Sequence, residues 1–152
     1  MFNDTIALMY RHRSIRHFSP EPLSREIITT IFAAGQRAAT SSNMQLYSAV
    51  VVQDPATKAQ LATVCGDQEQ IRQAPVFIAW CADRSRLERA SQQRGYKQNS
   101  DYMETFLVAA VDVGLAMQNA TLAAESLGLG CCYIGAVRNN PQVVIDLLGL
   151  PP

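Results

Sequence analysis

The stretch DYMETFLVAAVDVGLAMQNATLAAESL, Asp101–Leu127, decides the architecture. Its apolar residues Phe106, Leu107, Val108, Val111, Val113, Leu115, Met117 and Leu122 go nearly all the way round a helix of about 27 residues, roughly 40 Å long at 1.5 Å per residue. Such a helix has to be enclosed, by a core or by another subunit. Asp112, Gln118, Asn119 and Glu125 interrupt the apolar run, which argues against a membrane span.

Downstream, Gly128-Leu129-Gly130 supplies the helix stop. Cys131 to Gly135 reads as a strand that runs into Ala136-Val137-Arg138-Asn139-Asn140, and Pro141 opens a last helix through Leu148. Upstream, Ala49–Val52 and Val76–Cys81 read as buried strands, and Pro55–Val64 as a helix between them. Apolar runs without alternation predict strands covered on both faces. Asp4 is placed to cap a first helix through Tyr10, and Ser24 to cap a second that fades near Gly35. Arg84–Ser100, rich in Gln and Arg, reads as a surface excursion. The expectation is an α+β fold, residues 1–152 forming one domain: a small central sheet, flanking helices and one long central helix.

A chain of 152 residues with 48% hydrophobic and 17% charged residues can bury a core of its own. Thirteen basic residues balance thirteen acidic ones, so no global field exists to hold a nucleic acid. Cys65, Cys81, Cys131 and Cys132 form no C-x-x-C pair, and with only two histidines neither zinc nor a disulfide framework is expected. Free thiols and the lack of a charged-then-apolar leader lead to the expectation of a cytoplasmic protein.

Against this neutral background, Arg11 to Phe18, RHRSIRHF, packs three arginines and two histidines into eight residues. Like charges about 4 Å apart repel by roughly 4 kcal/mol at a surface-like dielectric. Either the cluster is solvated and paired with scattered carboxylates, or it is an anion site in which guanidinium forks and the Ser14 hydroxyl meet phosphate oxygens. The loop Ala38–Gln45 adds Thr40, Ser41, Ser42, Asn43 and Gln45 as donors and acceptors. Gly66-Asp67-Gln68 is a turn that presents an amide. A strand ending at Gly135 brings bare backbone N–H groups to a surface, with Arg138 just beyond. No nucleophile elbow, phosphate loop or dinucleotide fingerprint occurs, so redox or group-transfer chemistry would come from a cofactor.

RHRSIRHF, the ATSSNMQ loop, GDQ before an apolar strand, the helix ending QNATLAAESLGLG, and YIGAVRNN occur in order from about residue 5 to the end. Together they resemble the FMN-dependent nitroreductase family, in its branch of oxygen-insensitive NADPH nitroreductases and flavin reductases. The resemblance implies a homodimer whose long helices pack across a two-fold axis, with FMN at the subunit interface and NADPH as co-substrate. By similarity, Arg13, Ser14 and Arg16 would hold FMN phosphate and ring-edge atoms with His12 beside them. Ser41, Ser42 and Gln45 would come from the partner's loop, and Gln68 would meet the isoalloxazine or the substrate. Tyr133, Ile134, Gly135 and Ala136 would lie along the ring with backbone N–H groups near N5, and Arg138 near the phosphate or the substrate. No side chain would be catalytic, and the electrons would pass to nitroaromatics, quinones or free flavin.

Two departures from the family pattern stand out. Ala136 replaces a glycine common in that branch and would be strained at positive φ. Family members also run well past Pro152, so the chain is expected to be a fragment with a sheet edge left unpaired. That leaves a rival reading, a module that binds FMN without turning it over. A nucleic-acid site at RHRSIRHF is disfavoured by the zero net charge and the lack of interleaved aromatics.

Overall fold

The computed structural model describes residues 2–99 and 101–151. Met1, Ser100 and Pro152, which include the ends of the expected domain and of the polar excursion, lie outside the described residues. The described chain forms α1 (Asp4–Tyr10), α2 (Arg25–Gly35), β1 (Tyr47–Val52), α3 (Pro55–Val64), α4 (Glu69–Gln73), β2 (Phe77–Ala82), α5 (Ser85–Gln93), α6 (Met103–Ser126) and α7 (Pro141–Leu148). Short 3-10 turns at Ser41–Asn43 and Gly135–Arg138 complete it.

The caps follow the chemistry of small polar side chains. Ser24 accepts from the Ile27 amide at 3.2 Å and Asp54 from the Thr57 amide at 2.7 Å, each satisfying an orphan donor at a helix start. At α1 the cap is Asn3, whose Oδ1 accepts from Ile6 N at 3.0 Å, and Asp4 is the first helical residue. The expected cap at Asp4 is therefore displaced by one position. Gly149, left-handed at φ 60°, closes α7 by letting the amides of Gly149 and Leu150 reach back to Asp146 and Ile145.

β1 and β2 pair antiparallel, from Tyr47 opposite Ala82 to Val52 opposite Phe77. Ser48 and Val51 of β1 face solvent, so the expectation of strands covered on both faces fails for β1. The main core gathers Val52, Leu61, Ala62, Cys65, Ile71, Phe77 and Val144 from β1, α3, α4, β2 and α7. Lys58 is buried with them. Its Nζ donates to the Ala74 carbonyl at 2.6 Å, which tethers the end of α4 and the entry to β2.

α6 is long and apolar enough to cross a membrane by length and composition alone. Here one face belongs to the fold: Ala109, Ala116, Ala120 and Ala124 are buried, and the helix packs closely on α2 and against β2. The opposite face, with Leu107, Val111 and Leu115, is exposed, and Phe106 is exposed near the start of the helix. Within one chain the core covers one side of the helix, which leaves the other side for the second expected cover, another subunit.

Two further expectations are corrected. Arg84–Ser100 contains a helix, α5, held by tertiary contacts: Arg86 donates to the carbonyls of Met44 at 3.0 Å and Gln45 at 2.8 Å. Cys131–Gly135 forms no strand in a ladder. It makes a single parallel bridge, Ser14 with Cys131, and then turns into the 3-10 segment. Ala136 within that segment is not at positive φ, so the feared strain does not arise.

Candidate functional site

The bridge between Ser14 and Cys131 brings the cationic segment to the end of α6. Ile15 N donates to the Cys131 carbonyl at 2.9 Å. Ile15 lies so close over Gly130 that a Cβ there would sit 2.8–3.0 Å from Ile15 side-chain atoms, and only glycine fits. His12 Nδ1 meets Glu125 Oε1 at 2.7 Å, with Glu125 largely covered. Three contacts thus fix the register of RHRSIRHF on the last turn of α6 and on the segment after it.

The arginines themselves are left over. Arg13 and Arg16 are exposed, and neither makes an ion pair or side-chain hydrogen bond among the described residues. Ser14 is exposed between them. A pair of unneutralised guanidinium groups flanking a hydroxyl on a fixed backbone suits a phosphate or carboxylate ligand, and their mutual repulsion favours binding one.

The segment from Tyr133 to Arg138 is equally well tied. The Tyr133 hydroxyl donates to Gln118 Oε1 at 3.0 Å and lies 2.9 Å from the Thr121 hydroxyl, which pins its half-exposed ring to α6. Burial pushes the phenol pKa up. A Cβ on Gly135 would stand 3.0 Å from Nη2 of Arg138, so the bare backbone is where the guanidinium folds back. Arg138 is exposed and holds no carboxylate among the described residues.

Both segments border one cavity of about 910 Å³, within the range of small-molecule sites. Ile15, His17 and Phe18 line it from one side, and Tyr133, Ile134 and Gly135 from the other. It opens between them and the edge of β2 that no strand pairs among the described residues. Arg13, Ser14, Arg16, Ala136 and Arg138 stand outside its lining.

The remaining candidates lie elsewhere. Ser41, Ser42 and Gln45 sit in a loop tied to the middle of α6: Asp112, fully buried, accepts from Ser41 N at 3.0 Å and Leu46 N at 3.1 Å. Asp112 and Glu125 are thirteen residues apart on one helix, roughly 20 Å along its axis. One chain therefore presents its cationic segment and its serine loop at well-separated points. Gln68 turns toward its own chain, with Nε2 donating to the Cys65 carbonyl at 2.7 Å and Oε1 accepting from Gln70.

Sequence reasoning missed Asp112, Glu125, Gln118 and Thr121 as site-forming groups. A lone carboxylate inside an apolar helix was the available signal, since burying it demands partners. Among the described residues no group of three or more His, Cys, Asp or Glu is placed to hold a metal ion.

The thiol of Cys131 is pushed up to about 11 by burial, with the Glu125 charge and Cys132 adding to it, and burial raises Cys65 as well. The thiolate is the nucleophile, so both should resist alkylation. With iodoacetamide at pH 8, peptide mass mapping of the folded protein should find Cys65 and Cys131 unmodified over a time that modifies both fully in urea. Rapid labelling of Cys131 in the folded protein would contradict the burial described.

The family model for the Nitroreductase family matches residues 9–152, and the chain belongs to that family. It is 44% identical over 151 residues to an NAD(P)H-dependent FMN reductase of Bacillus subtilis, covering 98% of this chain and 61% of that protein. It is 39% identical over 147 residues to an oxygen-insensitive NADPH nitroreductase of Salmonella typhimurium, covering 97% of this chain and 60% of that one. Among solved structures it superposes on NfrA2 of B. megaterium with a TM-score of 0.96 at 41% identity, covering 99% of this chain and 61% of that one. It matches the NADPH:FMN oxidoreductase of Vibrio harveyi complexed with NAD+ at 0.91 and 40% identity, covering 98% and 63%. The chain thus spans about three fifths of the length of these relatives.

Proposed function

We propose that the chain is the FMN-binding part of an NAD(P)H-dependent flavin oxidoreductase that works as a homodimer in the cytoplasm. The observation that carries the reading is the Ser14–Cys131 bridge: it ties the segment bearing the exposed Arg13 and Arg16 to the one leading to Gly135, and Ile15 and Gly135 border one cavity. Names of relatives such as FMN reductase and NADPH nitroreductase support it. So do four free cysteines, which suit a reducing compartment.

Arg13, Ser14 and Arg16 hold the FMN phosphate. His12, clamped by Glu125, orients the segment. The backbone N–H groups from Tyr133 to Ala136 face the ring edge, and Arg138, folded over Gly135, adds positive charge beside it. Gln68 contacts the ring or the substrate once its local hydrogen bonds open. Bound FMN supplies two-electron chemistry, linking hydride donation by NADPH to reduction of a nitroaromatic, a quinone or free flavin. The chain's own part is to fix ligand position and to stabilise negative charge, and no side-chain nucleophile is required.

The roughly 20 Å between the two anchoring points on α6 favours a site shared by two chains, Ser41, Ser42 and Gln45 being given to the partner's flavin. The exposed apolar face of α6 is the surface for that pairing.

The test is a flavin titration. Added FMN should give a yellow protein with quenched flavin fluorescence, bleached by NADPH. Arg16→Ala should weaken FMN about 10- to 100-fold, the worth of a charge-assisted hydrogen bond, and leave riboflavin, which has no phosphate, nearly unchanged. Protein that ignores FMN overturns the reading. Tight FMN binding with no NADPH oxidation selects the second reading, a flavin-binding module without turnover.

A further inference from the structure

The loop between Thr40 and Leu46 is held in a conformation its residues do not prefer. Ser42, Asn43 and Gln45 all stand at positive φ, 49°, 54° and 54°, without a glycine among them. Left-handed backbone is disfavoured for a non-glycine residue and persists only where the surroundings impose it. Two groups impose it here: Arg86 holds the middle of the loop through the Met44 and Gln45 carbonyls, and Asp112 holds both ends. Asp112 takes the amide at its start, Ser41, on one carboxylate oxygen and the amide at its end, Leu46, on the other. Asp112 is 1% exposed and forms no ion pair among the described residues. Two charge-assisted hydrogen bonds are what offset the burial of its charge.

Only a carboxylate does this. An asparagine offers one acceptor oxygen and would turn its NH2 toward the other backbone N–H, donor facing donor. The carboxylate also stands on the turn of α6 whose outer side carries exposed Val111. The loop is thereby fixed to the same rigid helix whose far face is apolar and exposed.

We infer that Asp112 is a positioning residue: by clamping both ends of the Ser41–Leu46 loop to α6, it sets how far Ser41, Ser42 and Gln45 project toward the flavin held by the second chain. This rests on the shared FMN site proposed above. Val111 and Asp112 are neighbours on one turn, so the same helix that sets the pairing of the chains also sets the reach of the loop. Ligand affinity is then a property of the clamp as well as of the residues that touch the ligand.

Asp112→Asn, nearly isosteric, tests this through amide hydrogen exchange without flavin, FMN affinity and oligomeric mass. Protection at Ser41 and Leu46 should fall at least tenfold while amides of β1 and β2 keep theirs. The FMN Kd should rise tenfold or more with the mass of the assembly unchanged. The role is overturned if Asp112→Asn leaves the FMN Kd within twofold, or if protection falls equally in β1 and β2, which is general destabilisation. Unaltered protein that takes up no FMN overturns the flavin reading, and with it the loop's target. That outcome is read in the parent alone and so stands apart from a failure of the clamp.

Discussion

With the proposed pairing of two chains through α6, Val111→Glu combined with Leu115→Glu should convert dimer to monomer and abolish FMN retention while leaving the fold intact. Leu107, Val111 and Leu115 are 54%, 58% and 44% exposed, one turn apart along one face of α6. Covering the exposed half of each such side chain contributes about 1 kcal/mol, repeated on both chains, which favours a symmetric helix pairing. Two glutamates per chain put four unpaired carboxylates into that interface, each costing several kcal/mol to desolvate. In the separated chain the same side chains are in water, so circular dichroism and melting temperature should match those of the parent at the concentration where the parent dissociates. On the proposed shared site, flavin is lost because the cationic segment and the serine loop attach to α6 roughly 20 Å apart, so that a second chain would bring both to one ligand. Sedimentation velocity and flavin absorbance check it. A variant that stays dimeric, or a monomer that holds FMN as tightly as the parent, rules out the shared site.

How much of this was legible in the sequence follows from how local each signal is. α2, α3 and α6 announce themselves, because helical periodicity, a capping serine and a proline at a helix start are contained within a few residues: Ser24 caps α2 and Pro55 opens α3. The fold class and the family are legible for the same reason, as ordered motifs along one chain. α5 was not, because Ser85–Gln93 carries few apolar residues and is held by Arg86 reaching back to a loop some forty residues earlier. Cys131–Gly135 has strand composition, yet a ladder needs a neighbour, and its one described bridge is to Ser14. Composition gives propensity, and pairing is a long-range fact.

The site divides in the same way. Charge density marks Arg13 and Arg16 in sequence, since repulsion is a local property. What decides where they stand is contributed from far along the chain: Glu125 is 113 residues from His12. Asp112 in an apolar helix counted only as an argument against a membrane span, although burying a carboxylate calls for donors, and the nearest supply is the serine loop 71 residues away. Gln68 read as an outward-facing amide because its turn is polar. Its hydrogen bonds to Cys65 and Gln70 show the turn satisfying its own groups first.

Gly130→Ala should release the cationic segment from α6. The added Cβ would lie 2.8 Å from Cγ1, 2.9 Å from Cβ and 3.0 Å from Cγ2 of Ile15. The Cβ of a β-branched residue in a bridge has little freedom to retreat, because Ile15 N is bound to the Cys131 carbonyl at 2.9 Å. Overpacking of this kind costs about 1–3 kcal/mol, or roughly 2–12 °C in Tm for a chain of this size. The larger effect is on ligand affinity, expected to fall at least tenfold, because breaking the bridge frees Arg13 and Arg16 to separate. Gly128→Ala is the control. Gly128 sits at φ +80° with open space around it, so alanine there costs about 1 kcal/mol of backbone strain and leaves Ile15 untouched. It should lower Tm without changing FMN affinity. Ile15→Ala removes two of the three close atoms, and combined with Gly130→Ala it should recover part of the lost affinity, a coupling that a double-mutant cycle reads directly. Equal FMN affinity in Gly130→Ala and parent would mean that the arginines are placed by something other than the contact of Ile15 with Gly130.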